Sequence, residues 1–107
     1  MSEAPTLTEQ DDGRTVEVRT GQTLAIDLPE NAATGYRWAV ERLDGPVEPR
    51  AAAPRPAAGA VGSGGRTVLA FAATAPGRAE IALKHWRAWE GDASVIARFR
   101  AGLRIVP

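Results

Sequence analysis

The sequence predicts an all-β protein, an immunoglobulin-like antiparallel β-sandwich of about seven strands. Several short runs alternate apolar with polar residues, which is the period of a strand with one buried face. Turn residues separate these runs, and no stretch keeps the 3.6-residue apolar period of an amphipathic helix. The length of 107 residues suits one domain with one core.

The strands are expected where the alternation is clearest. Val16 and Val18 alternate with Glu17 and Arg19, and six apolar residues from Val95 onward share one face of the last strand. Four prolines between positions 41 and 65 leave room there for at most one short edge strand. In chain order the expected strands are Arg14–Thr20, Gln22–Leu28, Tyr36–Glu41, Val47–Ala52, Arg66–Ala73, Arg78–Arg87 and Ser94–Val106. Residues 1–13 are expected to form a flexible N-terminal segment, and residues 14–107 the folded domain.

Composition argues against several classes of function. The chain has no cysteine, which excludes a thiol nucleophile, a disulfide and a thiolate zinc site. A lone histidine, His85, cannot supply the several imidazoles of a typical catalytic metal site, so neither a metal nor another cofactor is expected. The net charge of zero argues against a nucleic-acid partner, and no apolar run approaches a membrane span. We expect a monomeric, cytoplasmic protein, since no secretory leader is visible.

Three loops are expected to lie together at one end of the sandwich. Strands of an antiparallel sandwich alternate in direction, so the connections after the second, fourth and sixth strands emerge at the same end. These are the first loop, Pro29–Gly35, the second loop, Ala53–Gly65, and the third loop, Ala88–Ala93. Each could be a plain turn or linker, and each also carries residues suited to recognition.

The first two loops are suited to close backbone approach. Asn31 and Gly35 tolerate unusual backbone angles, and Thr34 places a hydroxyl beside the glycine. The second loop ends in Gly62-Ser63-Gly64-Gly65, with neither the lysine nor the following helix of a phosphate-binding loop. It could be a flexible linker, or a ribbon whose backbone pairs with an extended partner segment.

The third loop carries the residue types that dominate protein interfaces, tryptophan and arginine. Of Trp86 and Trp89, one is expected in the core, and Trp89, beyond the strand, is the better candidate for exposure. Glu90 and Asp92 could pair with His85 in a small hydrolase, but no serine or thiol is evident beside the histidine. A structural histidine is the favoured interpretation of His85.

Three segments together resemble the motifs of the chagasin family of cysteine peptidase inhibitors. They are Asn31-Ala32-Ala33-Thr34-Gly35-Tyr36, Gly62-Ser63-Gly64-Gly65 and Arg87-Ala88-Trp89, in the family's order. The resemblance implies a reversible inhibitor whose three loops wedge into the active-site cleft of a papain-like peptidase. The peptidase-binding residues it implies are Asn31, Thr34, Gly35, Tyr36, Gly62, Gly64, Gly65, Arg87 and Trp89.

The sequence also departs from the family pattern. Ala32 and Ala88 stand where the family has proline, and Ala33 stands where it has threonine. Because proline lowers the entropy lost when a loop is ordered, its absence predicts looser loops and weaker inhibition. The alternative is an immunoglobulin-like binding or adhesion module that uses the same loops without inhibiting a peptidase.

Overall fold

A computed structural model describes residues 5–30, 32–50, 53–56 and 65–107, which form two packed β-sheets. These described residues contain nine strands, β1 Thr6–Thr8, β2 Thr15–Arg19, β3 Thr23–Glu30, β4 Arg37–Asp44, β5 Val47–Pro49, β6 Ala53–Pro56, β7 Gly65–Ala73, β8 Gly77–Trp86 and β9 Ala97–Val106. Their helical segments are short 3₁₀ turns at Glu9–Asp11, Ala32–Thr34, Ala88–Glu90 and Asp92–Ser94. No helix in this part of the chain is long and apolar enough to cross a membrane.

The first sheet has the strand order β1-β3-β7-β5, with β6 also paired to β7, and the second has the order β2-β9-β8-β4. Neighbouring strands are antiparallel except at one edge of each sheet, where β1 is parallel to β3 and β2 is parallel to β9. The chain passes from β1 to β2 through the turn Glu9–Asp11 and Gly13, whose φ is +85°. The immunoglobulin-like sandwich is therefore confirmed, with two mixed sheets.

The long strands lie where the apolar-polar alternation predicts them, whereas the short strands do not. The expected fourth strand is instead two strands, β5 and β6, which both pair with β7, so the expectation of a single edge strand is wrong. A further strand, β1, lies within the expected N-terminal segment and pairs with β3 from Thr6 to Thr8. Strands of three or four residues are too short to show a period of two, and neighbouring strands stabilise them.

The core lies between the sheets and consists of the inward-facing residues of the long strands. The largest fully buried side chains are Phe71, Phe99, Leu24, Ile26, Leu28, Ile81, Leu83 and Leu103. Trp38 packs against the margin of this core. Trp86 is half-buried under the Lys84 ammonium, 3.5 Å from its ring centre, so the expectation of a core tryptophan in the third loop region is wrong. Trp89 is 72% exposed, as expected.

Strand register brings the ends of the three loops to one end of the sandwich. Glu30, at the end of β3, pairs with Gly65 at the start of β7. On the second sheet, the start of β4 pairs with Trp86 at the end of β8, and His85 pairs with the start of β9. We call this the loop end, and the end with the β2–β3, β4–β5 and β7–β8 turns the turn end.

Candidate functional site

The first loop is a tight turn that connects the two sheets. Residues 32–34 form a 3₁₀ turn, and Gly35 follows with φ of +78°, a conformation that glycine adopts without strain. The Thr34 hydroxyl accepts a weak hydrogen bond of 3.4 Å from the Tyr36 backbone N–H. The backbone at Thr34 and Gly35 is therefore folded back, whereas a bound substrate strand is extended. Asn31 lies outside the described residues.

Arg87 ties the third loop to the first. Its Nε donates a hydrogen bond of 3.1 Å to the Thr34 carbonyl, and its guanidinium carbon lies 4.4 Å from the centre of the Tyr36 ring. The same guanidinium forms an ion pair of 3.3 Å with Glu90. Its planar fork thus serves three partners at once, which a lysine could not reproduce. The motif residues Thr34, Tyr36 and Arg87 form one contact cluster.

Trp89 packs directly on Gly35. A Cβ atom added at Gly35 would lie 2.5 Å from Trp89 Cη2, closer than real Cβ atoms approach other atoms. Position 35 therefore needs glycine both for its positive φ and for the space that the indole occupies. The indole remains 72% exposed at the same time, so one face supports the first loop while the rest is free for a partner.

Ser94 and Asp92 hold the third loop in a compact form. The Ser94 hydroxyl accepts a hydrogen bond of 2.9 Å from the Arg87 backbone N–H and lies 2.6 Å from the Gly91 carbonyl. Asp92 pairs with Lys84 at 2.9 Å, and this contact holds the pKa of the Asp92 carboxyl below its ordinary value. Backbone bonds within the loop, such as Glu90 N–H to Arg87 at 2.9 Å, complete the turn.

Glu30 and Trp38 join the two ends of the first loop. The Trp38 backbone N–H donates to Glu30 Oε1 at 2.8 Å, and the Trp38 indole N–H donates to the Pro29 carbonyl at 2.9 Å. Arg37 lies 3.6 Å from the other carboxylate oxygen of Glu30, whose side chain is 9% exposed. Pro29 and Glu30 belong to the first sheet and Trp38 to the second, so these bonds cross from sheet to sheet.

His85 is a structural residue beneath the first loop. Its ring stacks on Trp38 at 4.7 Å and meets the Tyr36 ring edge-on at 5.8 Å. Burial lowers the pKa of His85, outweighing the Tyr36 backbone and the Glu30 charge, and its Nε2 has no hydrogen-bond partner among the described residues. The carboxylates proposed for a hydrolase are engaged elsewhere, Glu90 with Arg87 and Asp92 with Lys84.

The second loop can be described only at its ends. Gly65 begins β7 and pairs with both Glu30 and Pro56. Gly62 and Gly64 lie outside the described residues. Ala53–Pro56, expected as the start of this loop, form β6 instead.

The described residues contain no group of three or more histidine, aspartate or glutamate side chains that could hold a metal ion. What the loop end offers is a preformed protrusion: a folded-back backbone at Thr34 and Gly35, with an exposed indole and a fixed guanidinium beside it. Such a surface suits binding to another protein.

Comparison with known proteins identifies the family of the chain. The sequence pattern described as "Chagasin family peptidase inhibitor I42" matches residues 17–102. The chain belongs to the chagasin family. It is accordingly an inhibitor of cysteine peptidases and not an enzyme. Amoebiasin-1 of Entamoeba histolytica is 32% identical over 91 residues, covering 82% of this chain and 87% of that protein.

Solved structures of similar fold include inhibitors. The solution structure of Amebosin is 26% identical, covers 98% of this chain and 100% of its own, and has a TM-score of 0.80. The crystal structure of the cysteine protease inhibitor EhICP2 from Entamoeba histolytica is 23% identical, covers 97% of both chains, and has a TM-score of 0.83. Both structural similarities extend over nearly the whole of this chain.

Proposed function

We propose that the loop end enters the active-site cleft of a papain-like cysteine peptidase and blocks it reversibly. The observation that carries this proposal is the contact between the first and third loops: Trp89 packs on Gly35 while Arg87 binds the Thr34 carbonyl. Described residues of two of the family's three motifs thereby form one continuous surface. The interface would have the standard size of about 800 Å² per partner.

Thr34 and Gly35 would lie nearest the catalytic cysteine and histidine of the peptidase. Their folded backbone explains why the inhibitor would not be cleaved, since the 3₁₀ turn and the φ of +78° at Gly35 do not present an extended peptide bond. Asn31 and Tyr36, from the same motif, would also contact the peptidase. The inhibitor would thus occupy the cleft without reacting.

The other two loops would flank the turn. Gly62, Gly64 and Gly65 of the second loop would allow the backbone to run close beside the substrate-binding strand of the peptidase. Arg87 and Trp89 would pack on the wall near its catalytic histidine. The exposed indole of Trp89 would be the main apolar anchor, because a large flat side chain that is already held in place loses little entropy on binding.

Inhibition of papain tests the proposal. Hydrolysis of a fluorogenic peptide is followed while the purified protein is titrated, and a gel checks that the protein stays uncut. We expect saturable inhibition without cleavage, and a Trp89→Ala variant that binds at least about 1 kcal/mol more weakly. Gly64→Val tests the second loop in the same assay.

Val40→Ala is the matched control, because Val40 is an exposed apolar residue, 39% accessible, in the interior of β4. It should inhibit like the parent. The absence of inhibition at high micromolar concentration would contradict the proposed function, and equal binding by Trp89→Ala and the parent would contradict the assignment of the anchor.

A further inference from the structure

The first loop lacks the proline that would restrict its backbone in the family motif, yet hydrogen bonds join its two ends. Alanine stands at position 32 where the motif has proline, so the backbone there lacks the restriction that a proline ring imposes. An inhibitor loop that samples many conformations binds more weakly, because only the binding-competent fraction can enter the cleft. Another feature must therefore keep this loop in place.

Strand pairing alone does not position the loop. The residues before it belong to β3, which pairs with β7 in the first sheet, and the residues after it belong to β4, which pairs with β8 in the second. No ladder of backbone hydrogen bonds joins β3 to β4 in the described structure. The separation of the loop's two ends therefore depends on side chains that reach from one sheet to the other.

Glu30 and Trp38 provide that connection. The Glu30 carboxylate accepts from the Trp38 backbone N–H at 2.8 Å, and the Trp38 indole returns a bond of 2.9 Å to the Pro29 carbonyl. The Glu30 side chain is 9% exposed, so water competes little with Trp38 for hydrogen bonding to the carboxylate. The stacked His85 ring at 4.7 Å fixes the indole on its other side.

We propose that Glu30 is a positioning residue for inhibition: by bonding to the Trp38 backbone across the two sheets, it holds the first loop in its binding conformation and replaces the rigidity of the missing proline. This inference rests on the proposed function, because it concerns the same loop. Glu30 does not itself need to touch the peptidase.

Four variants test this role: Glu30→Ala, Glu30→Gln, Ala32→Pro and the double variant Glu30→Ala/Ala32→Pro. The inhibition constant for papain and the thermal midpoint are measured for each. We expect Glu30→Ala to raise the inhibition constant about 10-fold and Glu30→Gln to raise it less than about 3-fold, since the amide oxygen can still accept from Trp38.

The double variant is the decisive comparison. If Glu30 and a proline supply the same rigidity, Ala32→Pro alone should change the inhibition constant little, whereas in the Glu30→Ala background it should recover most of the lost binding. A residue with only a general structural role would lower the thermal midpoint without this rescue. An unchanged inhibition constant in Glu30→Ala, or no rescue by proline, would overturn the proposal.

A measurement on the free protein separates this inference from the proposed function. The mobility of the Gly35 amide is followed by ¹⁵N relaxation without any peptidase present. We expect greater mobility in Glu30→Ala and parent-like mobility in the double variant. If the parent failed to inhibit papain but these mobilities changed as expected, the proposed function would fail while the positioning of the loop stood; unchanged mobility would overturn the positioning role itself.

Discussion

The two ends of the sandwich are held together by different kinds of contact. At the turn end, most of the bonds join backbone groups: Gly21 N–H donates to the Ala73 carbonyl at 2.8 Å, and Thr74 N–H donates to the Pro46 carbonyl at 2.9 Å. At the loop end, the bonds between the first and third loops and across the base of the first loop come from side chains, chiefly Arg87 and Glu30.

The two ends therefore differ in what their contacts determine: those at the turn end stabilise the fold, and those at the loop end shape the binding surface. Backbone bonds at the turn end depend little on side-chain identity, apart from the glycines, because nearly every residue carries the same donor and acceptor groups. Side-chain bonds at the loop end shape a surface, and that surface changes when single side chains change. We therefore expect substitutions at the turn end to lower the free energy of unfolding, and those at the loop end to weaken inhibition.

The largest effect is expected at the turn end, from Gly45→Val. Gly45 has φ of +81°, and an added Cβ would collide with the Arg78 carbonyl and lie 2.9 Å from Ala79 Cα. We expect the free energy of unfolding to fall by about 3 kcal/mol, measured by urea denaturation. The folded fraction should still inhibit papain as the parent does, and a large rise in the inhibition constant would contradict the separation of the two ends.

Gly35→Ala should have the largest effect on inhibition. The new methyl group would meet Trp89 at 2.5 Å and separate the first loop from the third. We expect the inhibition constant to rise about 30-fold, equivalent to about 2 kcal/mol.

Gly21→Ala is the matched control for this substitution, since Gly21 also has positive φ, +91°, but no atom of the described residues lies within 4 Å of the added Cβ. It should destabilise the fold by about 1–2 kcal/mol through backbone strain and leave the inhibition constant unchanged. Equal inhibition by the two variants would show that the contact between Gly35 and Trp89 does not shape the site.

Arg87→Lys tests the loop end by keeping the positive charge and removing the planar guanidinium group. Lysine cannot both donate to the Thr34 carbonyl and stack on Tyr36 as the guanidinium does. We expect a rise of about 5-fold to 10-fold in the inhibition constant, corresponding to about 1 kcal/mol for the lost hydrogen bond. Arg104→Lys, an exposed position of β9 away from the loops, should behave like the parent.

The smallest expected effect is the contribution of His85 to the pH dependence of stability. Burial holds the pKa of His85 below its ordinary 6.5, so the unfolded chain binds a proton at that position more readily than the folded one. The stabilisation is complete above about pH 6.5 and is lost as pH falls toward the folded-state pKa. Thermal unfolding at pH 7.5 and pH 5 should show a smaller loss of stability in His85→Gln than in the parent.

The pKa shifts of Glu9 and Asp92 act at lower pH than that of His85. Salt bridges lower the pKa values of Glu9 and Asp92, so their contribution to stability is present above their ordinary values and is lost only below about pH 4.5. A parent and a His85→Gln variant that lose stability equally between pH 7.5 and 5 would show that burial of His85 does not contribute.

Much of the fold could be predicted because alternation is a property of neighbours along the chain. Leu24, Ile26 and Leu28 alternate with partly exposed residues, and all three are buried at 0% exposure. Glycines also lie between the expected strands at positions 21 and 77, and both adopt the positive φ that glycine tolerates. The short strands β1 and β6 were not evident, because their pairing depends on the edges of β3 and β7.

Candidate site residues could be proposed from the sequence, but their arrangement could not. Motif resemblance selected Thr34, Gly35, Arg87 and Trp89 as candidate site residues. No sequence pattern indicated that Glu30 would bond to the Trp38 backbone. The bond from Arg87 to Thr34 joins residues 53 positions apart. Such a contact forms only after the two sheets have packed and brought their loops to one end, so nearest-neighbour patterning cannot determine it.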